Sequence, residues 1–305
     1  MKLLLTGSTG FLGNALKKKL REHDLILTSR SFDKDASIFF KKNISSKENF
    51  SECLKDIEVV IHTAARVHQM KDEASNPIYM ETNCMGTLNL ANQASLAGVK
   101  RFIFISSIKV NGEQSDFDIP FRYNDLPAPR GQYAISKAKA EEGLLKISNE
   151  TNMEVTIIRP PLVYGPCVQA NFASLLNLAK LNLPLPLGSV NNKRSLIALD
   201  NLVNLIITCI DHPNAGNQIF LASDNNDVST SELFSIMVKA YGMQPRLINV
   251  NLRFLKFVAG LAGKKNMIER LCGDLIVDIS HTKKTLGWNP VVSIDEGIKK
   301  CIKAS

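Results

Sequence analysis

Short apolar runs recur through the first half of the chain, at residues 3–6, 25–28, 58–62, 102–106 and 155–158. Between several of them lie longer stretches whose apolar positions return at helical spacing, at 14–21, 76–97 and 133–149. Strands that alternate with helices in this way imply βαβ units. Runs apolar at every position, such as Phe102-Ile103-Phe104-Ile105, suit a sheet covered on both faces. The predicted fold class is therefore α/β, a doubly wound parallel sheet over residues 1–165. Beyond Gly165 the pattern loosens. Pro184, Pro186, Pro213, Pro245 and Pro290 punctuate shorter segments, with helical stretches at 172–181, 200–211 and 231–241. Residues 166–305 are expected to form a smaller C-terminal substrate domain, some of whose segments return to the first sheet. Segment 252–271, apolar with interspersed Lys and Arg, reads as a helix of that domain rather than one lying on a membrane.

Composition narrows the picture. With 45% hydrophobic and 22% charged residues, the 305-residue chain has an ordinary globular balance. Its net charge of +8 suits an anionic ligand such as a nucleotide diphosphate. No aromatic-interleaved basic patch or zinc-finger spacing accompanies that charge, so no nucleic-acid partner is expected. Cys53, Cys84, Cys167, Cys209, Cys272 and Cys301 are widely spaced with no CxxC pair, which predicts reduced thiols in a cytoplasmic protein and no metal site. The apolar run after Met1 is too short for a signal peptide, and no stretch approaches the roughly 18 apolar residues of a membrane span.

Two constellations carry chemistry. Gly7-Ser8-Thr9-Gly10-Phe11-Leu12-Gly13 follows the first strand directly and opens a helix. Glycines there let the backbone turn tightly and approach a pyrophosphate, whose charge the helix N-terminus stabilises. At the end of the second strand an acidic residue would bind a ribose 2′-hydroxyl and repel a 2′-phosphate. Thr28-Ser29-Arg30-Ser31 instead offers hydroxyls and a guanidinium, the natural partners of a phosphate, so NADP(H) is expected, with Arg30 as its ligand. The alternative is NAD(H), with Asp33 reaching the ribose. Farther on, Tyr133-Ala134-Ile135-Ser136-Lys137 begins a long helix, and its i, i+4 spacing sets Tyr133 and Lys137 on one face. A free tyrosine titrates near ~10, so it needs a neighbouring cation to exchange protons at neutrality, and Lys137 is expected to lower its pKa. Ser107, at the end of the strand 102–106, would hydrogen-bond the substrate oxygen that Tyr133 protonates or deprotonates. A Ser/His/Asp hydrolase is disfavoured, since no GxSxG elbow exists and the five histidines lack a nucleophile partner.

The glycine loop spaced GxxGxxG, with Ser107, Tyr133 and Lys137 following in that order, resembles the extended branch of the short-chain dehydrogenase/reductase family, the NAD-dependent epimerases and dehydratases. The resemblance spans essentially the whole chain and implies a Rossmann-type fold. It also implies that Ile61-His62-Thr63-Ala64-Ala65 is the small-residue segment beside the cofactor, that Asn83 is the family's structural asparagine, and that Lys137 and Pro160 flank the cofactor. Arg194 and Arg270 inherit a phosphate-binding role, and Asn171 and Lys109 substrate contacts. Dehydratases of the family carry Asp-Glu after the catalytic hydroxyl residue; here Ile108 and Lys109 stand there and cannot do carboxylate work. Two enzymatic readings follow. The preferred one is reduction of a UDP-4-keto-6-deoxy-N-acetylhexosamine for a bacterial polysaccharide; the other is a UDP-glucose or UDP-N-acetylglucosamine 4-epimerase. Asn111, where epimerases usually have Tyr, leans toward the reductase. A non-catalytic dinucleotide sensor is the alternative of another class, and a homodimer is the expected assembly.

Overall fold

The computed structural model describes residues 1–32, 37–67, 77–116, 118–254, 260 and 271–303. Among them nine strands form two sheets: β1 (Lys2–Thr6), β2 (Asp24–Ser29), β3 (Ile38–Lys41), β4 (Val59–His62), β5 (Arg101–Ile105), β6 (Glu154–Arg159), β7 (Leu162–Tyr164), β8 (Leu196–Ala198) and β9 (Gln218–Leu221). Seven build one parallel sheet in the order β3-β2-β1-β4-β5-β6-β9, and β7 pairs with β8 separately. This is the Rossmann-type sheet the apolar runs predicted. The order reverses between β1 and β4, which opens a crevice at their carboxyl ends, where ligands of such sheets bind.

Alternation along each strand sends side chains to two separate cores. Leu3, Leu5, Ile61, Ile103 and Ile105 join one cluster with Leu16 of α1 (Phe11–Lys19) and Leu202, Leu205 and Ile206 of α5 (Leu199–Asp211). Leu4, Val60, Phe102 and Phe104 join the other, with Leu90 and Ala94 of α2 (Gly86–Leu96) and Ala140 and Leu144 of α3 (Gly131–Glu150). Both faces are covered, which is why these strands carry so few polar residues. A third core gathers Phe172 and Leu176 of α4 (Ala170–Leu181), Phe234 and Met237 of α6 (Thr230–Ala240) and Ile298 of α8 (Ile294–Lys303). A shorter helix, α7 (Ser280–Leu286), precedes α8. Ser229 and Glu232 close a reciprocal capping box at the start of α6, and left-handed Asn182 ends α4.

Besides the separate pair β7 and β8, two strands of the main sheet lay outside the predicted runs. β3 is an edge strand of four residues with an exposed or half-buried pattern, too short to stand out. β9 comes from the second half of the chain and becomes the opposite edge of the main sheet. The single helix expected over 76–97 divides into a π-helical turn at Met80–Met85 followed by α2. Of segment 252–271, residues 252–254 are helical; 255–259 and 261–270, and with them Arg270, lie outside the described residues. No helix among the described residues is long and apolar enough to cross a membrane, and no group of His, Cys, Asp or Glu among them could hold a metal ion.

Candidate active site

β1 delivers the chain to Gly7, which turns at φ +71° and leads into α1. A Cβ on Gly7 would sit 2.8 Å from the Ala64 backbone nitrogen, so only glycine lets the loop lie against the end of β4. Gly13 is tighter still: its Cβ would meet the Gly7 carbonyl oxygen at 2.1 Å, so α1 packs onto the loop that starts it. Gly10, at the N-cap, offers no side-chain cap, and the first turn holds no acidic residue. The orphan amides of that turn are therefore left to an external anion, and no carboxylate repels one. Ser8, Thr9, Phe11 and Leu12 lie along this cradle, which could hold a dinucleotide pyrophosphate.

Beneath the cradle runs a buried chain of polar groups. Thr63 Oγ1 donates to the Thr6 carbonyl at 2.6 Å, and the Ala64 amide donates to Thr6 Oγ1 at 3.3 Å. His62 lies 2.8 Å from Thr6 Oγ1 through Nδ1 and 2.9 Å from Thr87 Oγ1 through Nε2. Thr87 spends its own proton on the Asn83 carbonyl, so His62 Nε2–H must donate to Thr87 and Nδ1 must accept from Thr6. Burial, with the Lys137 charge adding to it, drives this imidazole down to about 3 and keeps it neutral. Asn83, in the π-helical turn, takes the Arg66 amide at 2.8 Å and donates to the Arg66 carbonyl at 3.0 Å and to Ser136 Oγ at 3.1 Å. It ties the segment after Ala64-Ala65 to the helix that carries Tyr133.

That helix, α3, follows extended Arg130 and starts at Gly131, whose φ is +77°. Tyr133 meets the Ser107 hydroxyl at the end of β5. Burial pushes the phenol up to about 12, and the Ser107 contact pulls it back only partly. Lys137 is 2% exposed; its Nζ donates to the Ile105 carbonyl at 2.7 Å and lies 4.4 Å from the centre of the Phe104 ring. Burial lowers its ammonium to about 7, against the opposing charge of Glu141. The expectation that Lys137 lowers the tyrosine pKa is thus corrected: in the free chain desolvation governs both groups, and the lysine is engaged with Ile105. The three residues do converge on one place, the carboxyl end of β5.

Other expected ligands are placed as follows. Arg30 is exposed at the end of β2, where Ser29 Oγ turns back to the Ser31 carbonyl; Asp33 lies outside the described residues. Lys109 stands in the 3₁₀ turn Ile108–Val110, its amide donating to Ser107 Oγ at 3.3 Å. Pro160 is buried and accepts the Ile108 amide at 3.0 Å. Asn171 is exposed in the first turn of α4, next to left-handed Ala170. Arg194 is half-buried, with its backbone between Val228 and Leu275 and its Nη1 donating to the Gly273 carbonyl at 2.9 Å. Asn111 is buried and accepts from Arg159 Nη1 at 2.9 Å, so its side chain serves the protein interior. Motif reasoning passed over Glu141, one turn beyond Lys137, which pairs with Arg159. The stripe Tyr133, Lys137, Glu141 at i, i+4 and i+8 was the signal for it.

The sheet, glycine cradle and Ser-Tyr-Lys cluster define a class of dinucleotide-dependent enzymes, and the chain belongs to it: the NAD dependent epimerase/dehydratase family matches residues 3–222. Among its relatives is a UDP-glucose 4-epimerase of Vibrio cholerae, 47% identical across 99% of this chain and 94% of that protein. Among solved structures, MoeE5 in complex with UDP-glucose and NAD superposes with a TM-score of 0.80 at 21% identity, covering 100% of this chain and 98% of the other. The UDP-glucose 4-epimerase of Thermotoga maritima, solved with UDP-glucose, gives 0.78 at 23% identity, with 100% and 98% covered. The NADP(H) preference read from Arg30 finds no support in these likenesses, since the family is described as NAD dependent and MoeE5 was solved with NAD.

Proposed function

We propose that this protein is a UDP-sugar 4-epimerase that inverts C4 of UDP-glucose or its N-acetyl analogue with NAD retained between turnovers. The observation that carries this reading is the 47% identity to a UDP-glucose 4-epimerase along 99% of the chain, with Ser107, Tyr133 and Lys137 gathered at one strand end. Bound NAD would supply the hydride acceptor and donor, and a positive charge to the site. The protein's own groups handle the proton. Tyr133 takes it from the C4 hydroxyl and returns it after the sugar has presented its other face, while Ser107 donates a hydrogen bond to the same oxygen. With one Lys137 donor on the Ile105 carbonyl, its remaining ammonium protons would be available to the ribose of a bound cofactor. The glycine cradle and the α1 amides hold the pyrophosphate, Ala64, Ala65 and Pro160 wall the cofactor, and Arg194 holds the UDP diphosphate, with Asn171 and Lys109 nearer the sugar.

Purified protein incubated with UDP-glucose or UDP-N-acetylglucosamine, with no nucleotide added, should form the galacto epimer, seen by NMR of the anomeric protons. Acid denaturation should release NAD(H) rather than NADP(H). Failure of both substrates, with NADPH-dependent reduction of a UDP-4-keto sugar, would replace this reading with the reductase.

A further inference from the structure

Tyr133, Lys137 and Glu141 form one stripe on α3, each a turn from the next. Their partners are three consecutive residues at the end of β5. Tyr133 meets the Ser107 hydroxyl, Lys137 donates to the Ile105 carbonyl, and Glu141 accepts from Ser106 Oγ. The third contact has no part in the chemistry described above. Glu141 is 3% exposed and its partner Arg159 2%. Arg159 Nε donates to both carboxylate oxygens at 3.1 Å, Nη2 to Oε2 at 2.5 Å, and Nη1 to Asn111 Oδ1 at 2.9 Å. Asn111 in turn donates to the Arg122 carbonyl at 2.9 Å. One ion pair therefore touches α3, the end of β5, the end of β6 and the residue closing the 108–110 turn, which are the pieces that carry the site.

Desolvating two charges roughly cancels their attraction, so net stability is a poor account of such a pair. A planar guanidinium forked onto a carboxylate does, however, hold a geometry well. We infer that Glu141, clamped by Arg159, is a positioning residue for the proton transfer: through Ser106 it sets where Ser107 stands against Tyr133. The inference rests on the C4 oxidoreductase reading for its kinetic arm only.

The test compares Ser106→Ala, which keeps the Ser106 amide bond to the Ile158 carbonyl, with Glu141→Gln, which keeps the shape and removes the charge. Each should lower kcat by about 10-fold or more, with KM and bound nucleotide near wild type, since a misplaced reacting group costs rate rather than binding. In protein labelled with ¹³C at the tyrosine ring carbon bearing the hydroxyl, the resonance missing from Tyr133→Phe should move in both variants without substrate present. A purely structural pair would lower the melting temperature and leave that resonance in place. If Glu141→Gln does not fold, Ser106→Ala decides alone. Wild-type kcat, or an unmoved Tyr133 resonance, overturns the inference. If the wild-type protein turns over no UDP-sugar, the epimerase reading fails, and the resonance by itself decides this one.

Discussion

Tyr133 carries the heaviest chemical assignment, and its surroundings make that assignment demanding. A phenol raised to about 12 by burial stays protonated at neutral pH, so for Tyr133 to take a proton a positive charge would have to stand near it, which a bound NAD would supply. Tyr133→Phe removes one hydroxyl and should leave fold and bound nucleotide intact while turnover falls by roughly 10²–10⁴-fold. Undiminished epimerisation in that variant would remove Tyr133 from the mechanism. His62 bears on stability instead. Its ordinary value of 6.5 falls to about 3 in the folded chain, so between those values the unfolded chain binds a proton that the folded one refuses. Its contribution is present in full above pH 6.5 and is lost as the pH falls toward 3. The melting temperature should decline over that window, and less steeply in His62→Gln; equal slopes would contradict the assignment. Residue types at motif spacing announced Ser107, Tyr133 and Lys137. Their protonation could not be read that way, because desolvation depends on neighbours far away in the chain.

Two junctions show how elements are held in place. The β1–α1 turn depends on Gly13, whose Cβ would meet the Gly7 carbonyl at 2.1 Å. Gly13→Ala must push α1 off its loop, so the purified variant should lose its bound nucleotide, measured by absorbance of the acid extract. Full nucleotide content would show that the loop tolerates the shift. At the far end of the sheet, Arg101 Nη1 caps α5 by donating to the carbonyls of Cys209, Ile210 and His212 at 2.8, 3.1 and 3.1 Å, while its other nitrogens grip Glu154. Arg101→Met keeps the apolar stem and strands those carbonyls; a loss of roughly 2–4 kcal/mol in denaturant unfolding is expected. The strand run at 102–106 and the helix at 200–211 were both legible in the sequence. That an arginine at the start of one would cap the end of the other was not, because more than a hundred residues separate them.

Across the chain as a whole, segment 273–278 threads between parts that lie far apart in sequence. Leu275 pairs beside Arg194, and Val277 beside Phe121, close to the catalytic turn. Arg194 lies beside that segment and donates to its Gly273 carbonyl, so Arg194→Ala should raise KM for the UDP-sugar while leaving kcat and bound nucleotide near wild type; a kcat defect at unchanged KM would move it into the chemical step. The order of apolar runs, the glycine spacing and the YxxxK pair already specified a parallel α/β sheet, a dinucleotide loop and a Ser-Tyr-Lys site, because each depends on periodicity or on residues within a few turns of one another. Contact across the chain decided the rest. It brought β9 back to the sheet edge, converted residues 80–85 into a π-helical turn around Asn83, turned Asn111 inward to Arg159, and buried Lys137 against Ile105 instead of leaving it to acidify Tyr133. Hydrogen bonds and desolvation are set by whatever the folded chain places alongside a group, and linear order does not contain that neighbourhood.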